Sequence, residues 1–347
     1  MDGQLSIDQS TSREAHLGAR RGRWCMTLKF TFILVALSAA APVAAESIRV
    51  TAVPVPLNTL DPGQSSTGQL IYRGGLHLVS DDARFGGWSA LHVSPDARSM
   101  TAISDDAAWL TASLLYDARG WLVGIEATGF GRLAGPGGTT IPHGASTADA
   151  ESLAVSPDGQ FLVSFERSHR LRRYAPARPP FSNAPEPWPA PPGIADAPNN
   201  EGIEALARLA DGRLLAIAEG LPAGPDAVAA WLWDGEAWSA LSYAVSDSYR
   251  PTAAATLPSG DVVLLERRFN PIDGIAARVR RLAAAGIVPG ARLEAETQAE
   301  LKPPLLSDNF EGIAAREGDG EALLYLISDN NFKSFQRTLL LMFALPD

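Results

Sequence analysis

The chain has 347 residues, 39 acidic side chains against 29 basic ones, and a single cysteine, Cys25. One cysteine excludes a disulfide framework and a zinc–thiolate cluster. The net charge of −10 at neutral pH disfavours nucleic acid and anionic lipid surfaces as partners.

Residues 1–45 read as an address. Arg20, Arg21, Arg23 and Lys29 precede an apolar run from Phe30 to Leu37, and Val43-Ala44-Ala45 supplies a small-residue cleavage site before Glu46. That is the order of a secretory signal peptide, with an apolar core too short to anchor in a bilayer. Met26 is an alternative start, because Met26 to Ala45 forms a complete signal by itself. The predicted mature chain, 46–347, is periplasmic or secreted, cysteine-free and without membrane contact after cleavage. It keeps 24 basic and 36 acidic side chains, a net −12, so cations are its favoured small partners. A chain of about 300 residues buries roughly three quarters of its unfolded surface, enough for a stable monomer without covalent staples.

From Glu46 onward, helical periodicity gives way to short apolar alternations bounded by Asp-Gly, Pro-Asp and Gly-Gly, the pattern of many short strands. Leu70–Val79, with Gly74-Gly75, reads as an early strand. Five segments then repeat one plan: Trp88–Asp105, Ala150–Glu166, Ile203–Glu219, Pro251–Glu266 and Phe310–Asp329. Each has a strand of small and aliphatic residues, a tight turn, and a second apolar strand ending in an acid. Gly, Asn and Asp tolerate the positive φ that such turns need. The period of roughly 50 to 60 residues fits a four-stranded propeller blade with variable outer loops. Between the second and third copies, 176–198 holds nine prolines; it is incompatible with a ladder-forming strand or a helix interior and is expected to form an ordered loop or lid over one face, with a disordered excursion as the alternative. The apolar run Thr338–Leu345 is placed to close the ring with the early strands. Five copies plus these ends predict an all-β, single-domain, six-bladed β-propeller, with seven blades the alternative count.

Equivalent positions in a propeller face one central channel. The second-strand ends offer Asp105, Glu166, Glu219, Glu266 and Asp329; the first strands add Glu151, Glu204 and Glu311, opposite Ser89 and Thr252 in the other two copies. Asp149, Glu201, Asp308 and Asn309 lie nearby. Like charges crowded into a desolvated channel must protonate, pair with bases or hold a cation. Arg167, Arg267 and His169 adjoin the ring and suit an anionic substrate, since arginine offers a bidentate fork. His143, in Ile141-Pro142-His143-Gly144, is a candidate acid or base in a Gly/Thr-rich loop. There is no Gly-x-Ser-x-Gly elbow and no His-x-x-x-His pair.

Several blocks occur in order: Phe85-Gly86-Gly87-Trp88-Ser89-Ala90-Leu91, Asp149-Ala150-Glu151, Val163-Ser164-Phe165-Glu166-Arg167, Asn200-Glu201-Gly202-Ile203-Glu204, Leu265-Glu266-Arg267, Asp308-Asn309-Phe310-Glu311-Gly312-Ile313 and Ile327-Ser328-Asp329-Asn330-Asn331-Phe332. Together they resemble the family called esterase-like activity of phytase, the phytase-like domain proteins, from about Tyr72 to Leu345. The resemblance implies an exported propeller with phosphatase or esterase activity and Ca²⁺ as cofactor. It departs from the usual pattern at Trp88, in place of a smaller aliphatic residue, and after Asp105-Asp106, where glycine is common.

Two functions follow. The first is a metal-assisted hydrolase of phosphoesters or carboxylic esters. Asp105, Glu151, Glu204, Glu219, Glu311 and Asp329 would hold Ca²⁺; Arg167, Arg267 and His169 would bind the substrate anion; Glu166 or Glu266 would act as general base. The second is a non-catalytic propeller binding a ligand or protein partner, which needs an exposed aromatic patch; Trp109, Trp121, Trp188, Trp231, Trp233 and Trp238 are the candidates.

Overall fold

The computed structural model describes residues 45–272 and 274–346; the predicted signal peptide lies outside them, apart from Ala45. The fold is all-β, with three single-turn 3₁₀ segments as its only helices among the described residues. Its strands form five sheets, so the propeller has five blades rather than the six expected.

Blade 1 runs Trp88–Val93, Ser99–Ser104, Ala108–Tyr116 and Leu122–Arg132; blade 2 runs Ala150–Val155, Phe161–Phe165, Arg170–Tyr174 and Glu186–Trp188. Blade 3 holds Ile203–Arg208, Leu214–Pro222, Ala227–Trp233 and Trp238–Ala244, with the short Arg292–Leu293 added in parallel at its edge. Blade 4 is Arg250–Thr256, Val262–Asn270, Gly274–Leu282 and Glu296–Leu301. Blade 5 takes Phe310–Glu317, Glu321–Ser328 and Thr338–Pro346 from the end of the chain and Leu70–Val79 and Thr51–Pro54 from its beginning.

Blade 5 explains the miscount. Leu340 pairs with Leu76 and Thr338 with Leu78, antiparallel, so the terminal strands complete the last copy's sheet and close the ring. Expected as material for a sixth blade, they join the fifth. The first strands of blades 1, 2, 3, 4 and 5 contact one another in that order, and blade 5 contacts blade 1. The apolar side chains divide accordingly into five clusters, one between each neighbouring pair of blades. Burial of this kind is the main stabilising term for a domain without disulfides.

Five blades crowd the axis, so the innermost strands are built from small residues: Ala90, Ala154, Ala205, Ala207, Ala253 and Ala254 are all buried. At Gly312 a Cβ would lie 2.6 Å from Ile327 Cγ2 and 3.1 Å from the backbone of Ala90, which fixes glycine where blade 5 meets blade 1. Buried hydroxyls join neighbouring blades. Ser164 Oγ donates to Ile203 O at 2.8 Å, and Thr252 Oγ1 to Phe310 O at 3.2 Å.

The proline-rich segment also differs from expectation. Glu186-Pro187-Trp188 forms the fourth strand of blade 2, pairing with Leu171–Arg173. Proline is tolerated there because the strand is an edge, with one side free of ladder bonds. The same segment binds blade 3: Trp231 Nε1 donates to Pro192 O at 3.0 Å and Trp238 Nε1 to Pro189 O at 2.9 Å. It is an outer strap between two blades.

Candidate functional site

Every blade carries the same irregularity. The pairing of its first and second strands skips one residue of the first strand: Ser89, Glu151, Glu204, Thr252 and Glu311 in blades 1 to 5. A β-bulge of this kind leaves one residue out of the ladder and re-aims its side chain. The sequence thus inserts a polar residue into an otherwise apolar strand without shifting the alternation on either side of it.

The second position follows from the same register. The residue after the second-strand partner donates its N–H to the carbonyl two residues before the bulge. Asp105 bonds Gly87, Glu166 bonds Asp149, Glu219 bonds Gly202 and Asp329 bonds Asn309, each at 2.8 Å. In blade 4, Arg250 pairs with Arg267 and Pro251 with Glu266. The fifth member of the ring is therefore Arg267, and Glu266 lies one residue out of register. Successive strand residues face opposite sides, so Glu266 points into the blade interior. It is fully buried there, accepting from Tyr243 Oη at 2.5 Å and paired with Arg278 and, at 3.5 Å, Arg280. The expectation that Glu266 serves as a channel base is corrected on these grounds. The signal was present in the spacing: Glu151 to Glu166, Glu204 to Glu219 and Thr252 to Arg267 are each separated by 15 positions.

The remaining acids converge. Asp105, Glu151, Glu166, Glu204, Glu219, Glu311 and Asp329 all have their carboxyl pKa raised, with burial the largest cause in each. Their mutual repulsion spans blades. Glu151 is raised further by Glu166, Glu311, Asp149 and Asp105. Asp105 is pushed up to about 7 by burial, then by Asp329, Asp149 and Asp106. Glu166 is pushed up to about 8 by burial, then by Glu219, Asp149 and Glu201, against the N–H of Gly202 that one oxygen accepts. Burial and Asp329 push Glu311 up to about 8.

Arg267 is the basic member of this ring. Its Nη2 lies 3.6 Å from Glu219 and 3.7 Å from Glu311. Burial works against its charge, but Glu311, Glu204, Glu219 and Asp329 outweigh that and hold its pKa above the usual value. Its charge is spent inside the ring. Arg167 sits differently, at the rim and half exposed, with Nε 2.6 Å from Asp149 Oδ2.

Three carboxylates come close enough to share one ion. Oxygens of Asp149, Glu151 and Glu166 all lie within 4.8 Å of one another. Asp149 was named in the sequence only as a neighbour of the ring; the backbone bond from Glu166 to its carbonyl brings it into the cluster. Across the mouth, Asn309 Nδ2 donates to Glu311 at 2.7 Å and to Asp329 at 3.4 Å. Asp105 keeps a buried Oδ1 without a donor. Gly87, with φ of 67°, lies against Asp105, and a Cβ there would sit 2.9 Å from Phe332 Cε2.

His169 is fixed by its Nε2, 3.1 Å from Pro198 O and 3.3 Å from Ala197 O. Its buried Nδ1 lacks a partner and lies beside Gly202, where a Cβ would approach it to 2.5 Å. His143 lies on the rim, Nδ1 2.5 Å from Asp106 Oδ2; Arg132 at 2.9 Å and the Gly144 N–H at 2.7 Å hold that carboxylate. Ala107, where glycine is common, takes the left-handed backbone itself, at φ 56°. Of the six tryptophans, Trp109 and Trp231 are buried and Trp121 half-buried, while the half-buried Trp188, Trp233 and Trp238 pack in a row with ring centroids 5.7 and 5.3 Å apart.

Among solved structures, a gluconolactonase from Xanthomonas campestris matches with 12% identity over 89% of this chain and 99% of its own, at a TM-score of 0.42. A luciferin-regenerating enzyme matches with 11% identity over 85% and 98%, at 0.42. A virginiamycin B lyase from Staphylococcus aureus matches with 10% identity over 86% and 100%, at 0.38. Likenesses this distant decide neither blade number nor activity. Among curated proteins, none matches the chain significantly. The profile of the phytase-like family, described as esterase-like activity of phytase, matches residues 83–332, which takes in all five bulges and every member of the ring: the chain belongs to that family.

Proposed function

We propose that this protein is a metal-assisted hydrolase of phosphoesters or carboxylic esters, acting outside the cytoplasm at the acidic mouth of its channel. The carrying observation is the convergence of Asp149, Glu151 and Glu166 within 4.8 Å inside a ring whose acids are held back from ionising by burial and by one another. An all-oxygen, multiply anionic set of this kind fits a hard cation, and Ca²⁺ best, since it accepts irregular geometry and several carboxylates. The unpartnered Oδ1 of Asp105 supports the fit, because a buried acceptor without a donor is stabilised by a nearby positive charge.

A bound divalent cation would polarise the ester oxygen and make a coordinated water more acidic. The chain's own residues supply the rest. Asp149, Glu151 and Glu166 would hold the cation. Arg167, half exposed beside Asp149, meets the substrate anion as it arrives. Asp105, buried beside the cluster with its Oδ1 unpartnered, takes the proton of the attacking water. Phe332, lying over Gly87 beside Asp105, offers an apolar wall for the alcohol part of an ester. Family membership supports the reaction class.

Hydrolysis of p-nitrophenyl phosphate and p-nitrophenyl acetate, with Ca²⁺ and with EDTA, tests the reading. Activity on at least one substrate should require the cation and be lost in Glu166→Gln and Asp105→Asn. Activity indifferent to chelation and to both substitutions would remove the mechanism.

A further inference from the structure

At the opposite end of the inner strands, the turn Ser156–Gln160 of blade 2 and the end of the first strand of blade 3 border a cavity of about 160 Å³. It is separate from the acidic ring, which gathers where the first strands begin. Its walls include Phe161, Trp188, Arg173 and Arg208. Two of these residues carry buried donors that meet no acceptor among the described residues: Trp188 Nε1 and Arg208 Nε. Arg173 is committed to Glu186 and stacks over Trp188 at 5.4 Å. The Arg208 side chain makes no ion pair or hydrogen bond among the described residues, and it also lines the far end of the central channel.

A partly buried guanidinium without a counter-ion is unfavourable, and so is an indole N–H without an acceptor. Both deficits are removed together by an oxyanion, since a guanidinium fork matches a carboxylate in two parallel bonds. The volume is close to that of cavities that hold benzene, and Phe161 and Trp188 supply aromatic walls. One acid shares the lining, Asp158, whose oxygens accept from Ser156 and, at 2.6 Å, from Gln160. Its charge sets the site against a dianion such as a phosphate monoester and leaves a monoanion.

We propose that this cavity, between blades 2 and 3 at the far end of the channel, binds a small planar monocarboxylate of about the size of benzoate. Arg208 grips the carboxylate, Trp188 Nε1 donates to it, and the ring lies between Trp188 and Phe161. The site is independent of the acidic mouth and of any cation bound there.

Benzoate is the probe, followed by calorimetry and by quenching of tryptophan fluorescence on the full mature chain. The expected dissociation constant is about 1 mM or below, unchanged by EDTA. Benzyl alcohol and phosphate should each bind at least about tenfold more weakly. Arg208→Met should weaken benzoate at least about tenfold, with Arg208→Lys in between. Trp188→Phe, which keeps the wall and removes only the donor, should weaken it about threefold to tenfold; it serves even if Arg208→Met does not fold. Failure of benzoate to bind at about 10 mM, equal binding of benzyl alcohol, or unaltered affinity in Arg208→Met and Trp188→Phe would each overturn the assignment.

Discussion

The two ends of the central channel are built from the same five strands and carry opposite chemistry. Where the strands begin, each blade has a bulge, and seven carboxyls crowd around one arginine. Where they end, pairing is regular and the channel wall is made of Leu91, Leu153, Leu206, Ala254 and Ile313, with Arg208 and His92 at its margin. The difference teaches what the bulges are for. A regular strand that packs between blades must keep its apolar alternation, and any acid facing the axis would break it. One extra residue per blade supplies an axial acid and leaves the alternation intact. Function is added by irregularity, at one end only.

The comparison would break first at Glu266, if that acid belonged to the mouth. The structure makes it half of a buried ion pair with Arg278 instead. Removing one partner of such a pair leaves the other charge buried and uncompensated, at a cost of about 3–5 kcal/mol. Glu266→Ala should therefore lose most of its margin against urea while the folded fraction still gains stability from Ca²⁺. A variant as stable as the parent, but blind to Ca²⁺, would return Glu266 to the ring.

Next in size is the acidic mouth itself. Glu151→Gln keeps the shape of the bulge residue and removes one of three charges near the proposed ion. Hydrolysis should fall about a hundredfold, equivalent to about 2.7 kcal/mol, and the rise in melting temperature with Ca²⁺ should shrink with it. Loss of activity with the Ca²⁺ response intact would separate Glu151 from the cation.

Much of this was legible in the sequence, and the failures have physical causes. Tight turns at Pro-Asp, Asp-Gly and Ser-Gly located the repeats, because the positive φ found at Gly159, Gly212, Gly260 and Gly320 restricts the residues such a turn accepts. Asp105, Glu166, Glu219 and Asp329 were visible as strand-end acids for the same reason. The sixth blade was an error of long-range pairing: nothing local in Leu70–Val79 says that it hydrogen-bonds to Thr338–Pro346. Glu266 was an error of register. Matching acid to acid overrode the spacing of 15 that picks out Arg267. Asp149 was overlooked as a ligand because it precedes its strand, and only the backbone bond from Glu166 draws it in.

A smaller effect distinguishes the ends by pH. In the metal-free protein the mouth carboxyls titrate late, Asp105 at about 7 and Glu166 and Glu311 at about 8. Between about pH 4.5 and 8 the folded state holds protons that the unfolded state has released, so stability falls as pH rises through that window. Because the carboxyls share protons and the ring relaxes as it ionises, the decline should be about 2–3 kcal/mol from pH 5 to 8, well below the sum of the separate contributions. Ca²⁺ should flatten it, since the cation takes the place of the protons. A metal-free protein whose melting temperature rises over this range would contradict the crowding of acids.

The far end should titrate with the opposite sign. His92 lies beside Phe161, edge to face at 6.4 Å, and burial lowers its pKa to about 4. Here it is the unfolded state that binds the extra proton, between about pH 4 and 6.5, so this residue makes stability rise with pH. The imidazole is partly exposed, which reduces the full shift to an effect of about 1 kcal/mol. In metal-free protein the steeper carboxyl slope hides it. Saturating Ca²⁺ removes that slope, and melting temperature should then climb from pH 4.5 to 6.5 in the parent and stay flat in His92→Leu. Parallel curves for the two proteins would mean that His92 is solvated in the folded state. A flat line in the variant alone would place the two pH responses at opposite ends of one channel, separable by one cation and one histidine.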